Sequence, residues 1–99
     1  MILTGFYVVV YDIGDTGKRN RVIITLERWG LRRIQRSAFV GQIPEGRAKD
    51  VAREIEMIIV LEKDVVHMIQ IDRREWEKAI VIGTSAWSSG LKNDAVIMD

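Results

Sequence analysis

The run Phe6 to Asp15, FYVVVYDIGD, constrains this chain more than any other stretch: an apolar strand leads directly into a carboxylate and then a glycine-containing turn. Five of the six residues from Tyr7 to Asp12 are Val or Tyr, types that fit a pleated, half-buried surface. Asp is depleted in strands and rarely fully buried without a partner. This places Asp12 at the strand mouth with its oxygens facing something cationic, either a metal or one of the arginines that follow it.

At 99 residues the chain is sized for one domain with a single two-layer core. With 47% hydrophobic and 29% charged residues it has the composition of an ordinary soluble globular protein. No apolar run approaches the ~20 residues of a membrane span. The first residues lack the basic and apolar regions of a secretory signal, and cysteine is absent, so a cytoplasmic protein without disulfide or thiol chemistry is expected. The net charge of +1 conceals a polarised chain. Residues 1–43 carry seven Lys/Arg against three Asp/Glu, and residues 44–99 carry eight against eleven. All seven bases of the first part lie between Lys18 and Arg36, where the only acid is Glu27. That is one basic region suited to phosphate, or equally a solvated helix face.

Gly14 to Gly17 reads as a loop, with Thr16 a candidate helix cap. It is not a phosphate-binding P-loop: Asp12 stands six before Lys18 where Gly is required, and Arg19 replaces the Ser or Thr after the lysine. From Lys18 the pattern is helical, with Val22, Leu26 and Trp29 on one face and Gly30 as a stop. Leu31 to Ile43 alternates, Ile34, Arg36, Ala38 and Val40 against Gln35, Ser37 and Phe39. It fits one long bent strand or two short ones. Ala48, Val51, Ala52, Ile55, Ile58 and Ile59 recur at helical spacing. Asp64 to Asp72 reads as a strand, Arg73 to Lys78 as a polar connection and Ala79 to Gly83 as a further short strand. This order predicts an α+β ferredoxin-like sandwich, an antiparallel sheet of four or five strands with two helices on one face. It occupies residues 1–83, and 84–99 form a tail in which Ala95 to Met98 is an apolar arm suited to pairing with another chain.

Four pieces in order, Tyr11-Asp12-Ile13, Arg19-Asn20-Arg21, Gly30 and Gln35-Arg36-Ser37-Ala38-Phe39 followed by Gly41, resemble the CRISPR-associated Cas-two family. These are small subunits that act with the Cas-one integrase in spacer acquisition for antiviral defence. The match is good over the first half of the chain, and the second half agrees mainly in element order. Ala38 stands where the family often has Val, and Arg36 where Tyr or Lys is common. The resemblance implies a ferredoxin-like homodimer and a Mg²⁺-dependent endonuclease acting on single-stranded RNA or double-stranded DNA. Some members are instead catalytically silent scaffolds between integrase dimers.

One carboxylate is a poor Mg²⁺ site, because the ion takes about six oxygens, usually one or two carboxylates plus waters and phosphate. A two-fold axis near the strand mouth would let each chain contribute its own Asp12, the expected catalytic and metal-binding residue. Arg19, Arg21 and Arg33 are the expected phosphate contacts, with Ser37 touching phosphate and Phe39 either packing or meeting a base. Asp15 is expected chiefly as a cap or dipole partner of the following helix, and only second as another site acid. His67 sits in an apolar strand without the Ser and Asp partners of a triad, which makes it a core or sheet-surface residue. Trp29 reads as core.

Overall fold

The structure is a computed structural model that describes residues 4–84 and 96–98. Its first strand, β1 (Thr4–Asp12), passes through the middle of a four-stranded antiparallel sheet. β2 (Arg32–Gln35) and β3 (Ala38–Pro44) form a hairpin on one side of it, and β4 (Val65–Ile71) lies on the other, giving the order β2-β3-β1-β4. Helices α1 (Thr16–Arg28) and α2 (Ala48–Glu56) pack on one face. The result is the predicted ferredoxin-like α+β sandwich, with Leu31 to Ile43 resolved into two strands rather than one bent strand.

Alternation along β1 decides what each face is made of. Val9 and Tyr11 point to the helices, where they join Phe39 and Ile43 of β3, Val22 and Leu26 of α1, and Val51 and Ile55 of α2 in the buried core. Phe6, Val8, Val10 and Asp12 point the other way, beside Ile71, Ile69, His67 and Val65 of β4 in register. Phe6 is covered there by α3 (Arg73–Glu77): the Trp76 ring lies 5.7 Å from its ring, and the Arg73 guanidinium 5.7 Å from its centroid. Among the described residues no helix covers the rest of this face. Val10, Val65 and Ile69 remain 40%, 43% and 47% exposed.

Local chemistry sets the joints. The Asp15 carboxylate accepts from the Lys18 N–H at 2.8 Å, so Asp15 caps α1, and Thr16, expected as a cap, is its first helical residue. α1 ends where Gly30 takes φ +90°, a conformation that costs glycine nothing. The Gly30 N–H donates to the Glu27 carbonyl and the Leu31 N–H to that of Leu26, which closes the helix and turns the chain into β2. Gly41 is needed for a different reason: a Cβ there would lie 2.9 Å from the Leu31 Cα, so β3 can approach the start of the hairpin only without a side chain. Beyond α3, β5 (Ile80–Ile82) stands outside the main sheet and pairs in parallel with β6 (Val96–Met98). Residues 85–95 and 99 of the expected tail, Ala95 among them, lie outside the described residues. Among the described residues no helix is long and apolar enough to cross a membrane.

Candidate nucleic-acid cleavage site

Asp12 ends β1 on the open face, paired with Val65 of β4, and its side chain is exposed. The β1–β3 ladder stops earlier, at Val10 and Ala38. The strand end is held on that side by the Tyr11 N–H, which donates to the Ser37 carbonyl at 3.0 Å. The Tyr11 hydroxyl donates to the Arg36 carbonyl at 3.0 Å, and the Arg33 guanidinium donates to the same oxygen at 2.7 Å. The hairpin turn at Arg36 and Ser37 is thereby fastened beside Asp12. Burial pushes the Tyr11 phenol up, against the opposing pull of the Arg33 guanidinium, and the neutral phenol keeps its proton for this hydrogen bond.

Three acids lie around the loop that follows β1, and their oxygens are engaged to different degrees. Asp15 commits one oxygen, Oδ2, to the helix cap. Asp64 accepts from two backbone N–H groups, Gly14 at 3.1 Å and Val60 at 2.9 Å. These two donors hold its carboxyl below the usual carboxylate range. Among the described residues no hydrogen bond or ion pair engages the Asp12 carboxylate. Among them, too, no three His, Cys, Asp or Glu side chains gather as a metal site. The donors of one chain therefore do not by themselves fit Mg²⁺.

The expected phosphate contacts divide. Arg19 is at the site, but its fork is turned onto the loop: Nε donates to the Ile13 carbonyl at 3.1 Å and a terminal nitrogen to that of Gly14 at 3.2 Å. Arg33 is half-buried and points to the helix side, its guanidinium 6.0 Å from the Phe39 ring centroid. Arg32, one residue earlier, shares the open face with Val40 and lies on Asp12's side of the sheet. Arg21 lines a groove between α1 and α2 with Ile24, Arg28 and Met57, on the opposite face from Asp12.

Ser37 and Phe39 do not share a strand face as expected, because Ser37 sits in the hairpin turn and not in a strand. Phe39 is 0% exposed and packs in the core. His67 is exposed on the open sheet surface opposite Val10, one of its two expected placements. Trp29 is only partly buried, and its indole N–H donates to Glu54 Oε2 at 3.0 Å. Asp64 and Arg32 were not singled out in the sequence. An acid directly ahead of β4 is the only hint of Asp64, and it acquires meaning only once the register sets the start of β4 against the end of β1.

Residues 5–79 match the sequence model of the family described as CRISPR associated protein Cas2. The chain is 38% identical over 78 residues to the CRISPR-associated endoribonuclease Cas2 2 of Pyrobaculum aerophilum, covering 79% of this chain and 86% of that one. It is 35% identical over 79 residues to the CRISPR-associated endoribonuclease Cas2 1 of Archaeoglobus fulgidus, covering 80% and 84%. In Thermoproteus tenax the similar protein is a CRISPR-associated endonuclease Cas1/endonuclease Cas2 fusion, 31% identical over 78% of this chain and 29% of the fusion. A crystal structure of cas2 superposes with a TM-score of 0.71 at 23% identity over 85% of this chain and 92% of that one, which supports the fold. The motifs at the end of β1 and in the β2–β3 hairpin, the ferredoxin-like order and these likenesses agree, and the chain belongs to the CRISPR associated protein Cas2 family.

Proposed function

We propose that this protein is a CRISPR-associated endonuclease that cleaves phosphodiesters of single-stranded RNA or double-stranded DNA as a homodimer. The observation that carries this reading is the exposed Asp12 carboxylate, unengaged among the described residues, at the rim of an exposed apolar sheet face. An open face of Val8, Val10, Val65 and Ile69 is suited to burial against a copy of itself, and a two-fold axis there would bring Asp12 and the partner's Asp12 to one site. Two carboxylates with waters and substrate oxygens make a donor set that fits Mg²⁺, which one carboxylate does not. Bound there, the ion would supply an activated water and polarise the scissile phosphate.

The chain's own residues bind and orient. Arg32 and Arg36, on or beside the open face, neutralise backbone phosphates, while Arg19 and Arg33 brace the loop and the hairpin that flank Asp12. Relatives named endoribonucleases support the RNA form of the reaction. The relative fused to Cas1 supports work beside a Cas1 integrase partner during spacer acquisition.

The test is cleavage of labelled single-stranded RNA and duplex DNA, with and without Mg²⁺, by the wild type and by Asp12→Asn. Metal-dependent cleavage that the substitution abolishes supports the reading, and the substrate cut identifies the nucleic acid. If neither protein cleaves and both bind duplex DNA equally, the nuclease reading fails in favour of a DNA-binding scaffold.

A further inference from the structure

We infer that Asp64 is a positioning residue for Asp12, an inference that rests on the nuclease reading above. Asp12 occupies a strand end that would otherwise be loosely held. Its ladder to β3 has already stopped at Val10, and directly after Asp12 the three residues Ile13 to Asp15 leave the sheet to reach α1. The loop is held at that point by Asp64. One carboxylate oxygen accepts from the Gly14 N–H, two residues beyond Asp12, across 50 positions of sequence. The other accepts from the Val60 N–H, which closes the turn between α2 and β4. That turn is a rigid anchor in its own right, since the Lys63 and Asp64 N–H groups both donate back to the Val60 carbonyl, at 3.0 and 2.8 Å.

One side chain thus bridges the loop that carries the site to a turn that carries none of it. Arg19 completes the clamp from the other side, donating to the carbonyls of Ile13 and Gly14 while Asp64 takes the Gly14 N–H. Both polar groups of the Gly14 backbone are engaged, and the loop has little freedom left. In β4 the next residue, Val65, is the register partner of Asp12. The anchor and the reacting carboxylate are therefore neighbours at one corner of the sheet. With each oxygen accepting from a backbone donor on a different segment, this carboxylate is fixed between the loop and the turn. Its contribution is to set where Asp12 points, and misplacement of a reacting group by about 1 Å costs up to roughly 100-fold in rate.

The experiment compares wild type, Asp64→Ala, Asp64→Asn and Asp12→Asn. Its readouts are kcat and KM for cleavage, and hydrogen exchange of the Gly14 amide with core amides such as Val9 as an internal standard. Asp64→Ala loses both acceptors. Asp64→Asn keeps one oxygen and turns the other into a donor, so it serves one partner only and provides a milder variant should the alanine form not fold. The expected result is a kcat roughly tenfold or more lower in Asp64→Ala at nearly unchanged KM, with Asp64→Asn between it and wild type. Gly14 exchange should accelerate about tenfold or more while Val9 stays protected. Faster Gly14 exchange with unchanged kcat, or unchanged Gly14 exchange, overturns the positioning role and leaves the nuclease reading intact. Full activity in Asp12→Asn overturns the nuclease reading itself, and the positioning role with it.

Discussion

Phe39→Leu separates a folding role from a nucleic-acid-binding role at a position where the sequence motif alone suggests either. Phe39 is 0% exposed near the start of β3, opposite Val9 in register. Its ring centroid is 6.2 Å from that of Tyr11 and 6.0 Å from the Arg33 guanidinium carbon. Truncation to alanine would cost about 3–5 kcal/mol, a large part of the 5–15 kcal/mol that stabilises a domain of this kind. Leucine retains most of the apolar volume, which limits the packing loss to about 1–1.5 kcal/mol. Loss of the ring contacts with Tyr11 and Arg33 adds about 0.5–1 kcal/mol. We therefore expect a destabilisation of roughly 2 kcal/mol, a drop in Tm of about 8–16 °C for a domain of this length. Urea denaturation followed by tryptophan fluorescence measures it. Binding of labelled single-stranded RNA and duplex DNA, measured where the variant is still folded, should change by less than about twofold. A variant of wild-type stability that binds about tenfold more weakly would refute the reasoning, because the ring would then have to reach the nucleic acid.

Four further outcomes test the joints that hold the site. Gly41→Ala should cost about 1–3 kcal/mol in urea denaturation, because its Cβ would meet the Leu31 backbone at 2.9 Å and backbone cannot swing aside. Gly14→Ala, whose Cβ meets nothing within 4 Å, should stay within about 0.5 kcal/mol by the same measurement. Asp15→Ala, which removes the cap on the Lys18 N–H, should cost about 1 kcal/mol and fray the start of α1 as seen by amide exchange. Asp64 titrates below its ordinary value of 3.8 in the folded chain, held there by the Val60 and Gly14 N–H groups. Its contribution to stability is therefore complete above 3.8 and lost as pH falls through the lowered folded value. Denaturation midpoints followed from neutral to acid pH should show a shallower acid decline in Asp64→Asn than in wild type, and an unchanged decline would contradict the hydrogen-bond assignment.

The sequence by itself determined the elements and their kind. The Val and Tyr content of FYVVVYD made β1 a strand, and the helical spacing of Val22 and Leu26, and of Val51 and Ile55, made α1 and α2 amphipathic. Gly30 marked the helix stop, and the order of the pieces was enough for the ferredoxin-like sandwich. These are local signals of period and propensity, readable without knowing what lies opposite. It also marked Asp12, because a carboxylate at the end of an apolar strand is conspicuous on chemical grounds alone.

Which of the neighbouring polar residues have free hands was decided only by the tertiary structure. Arg19, Arg33 and Asp64 are committed to backbone groups of segments that the chain brings alongside one another, and Phe39 belongs to the core because β3 sits between β2 and β1. The choice between Arg32 and Arg33 for the open face is a matter of parity, and the hairpin turn at Ser37 resets the alternation within the motif that carries the resemblance. Strand register and hydrogen-bond pairing are long-range quantities, and a shift of one residue exchanges every inward side chain for an outward one. The chemistry of the site is written in residue types along the chain, but the role of each depends on partners tens of residues away.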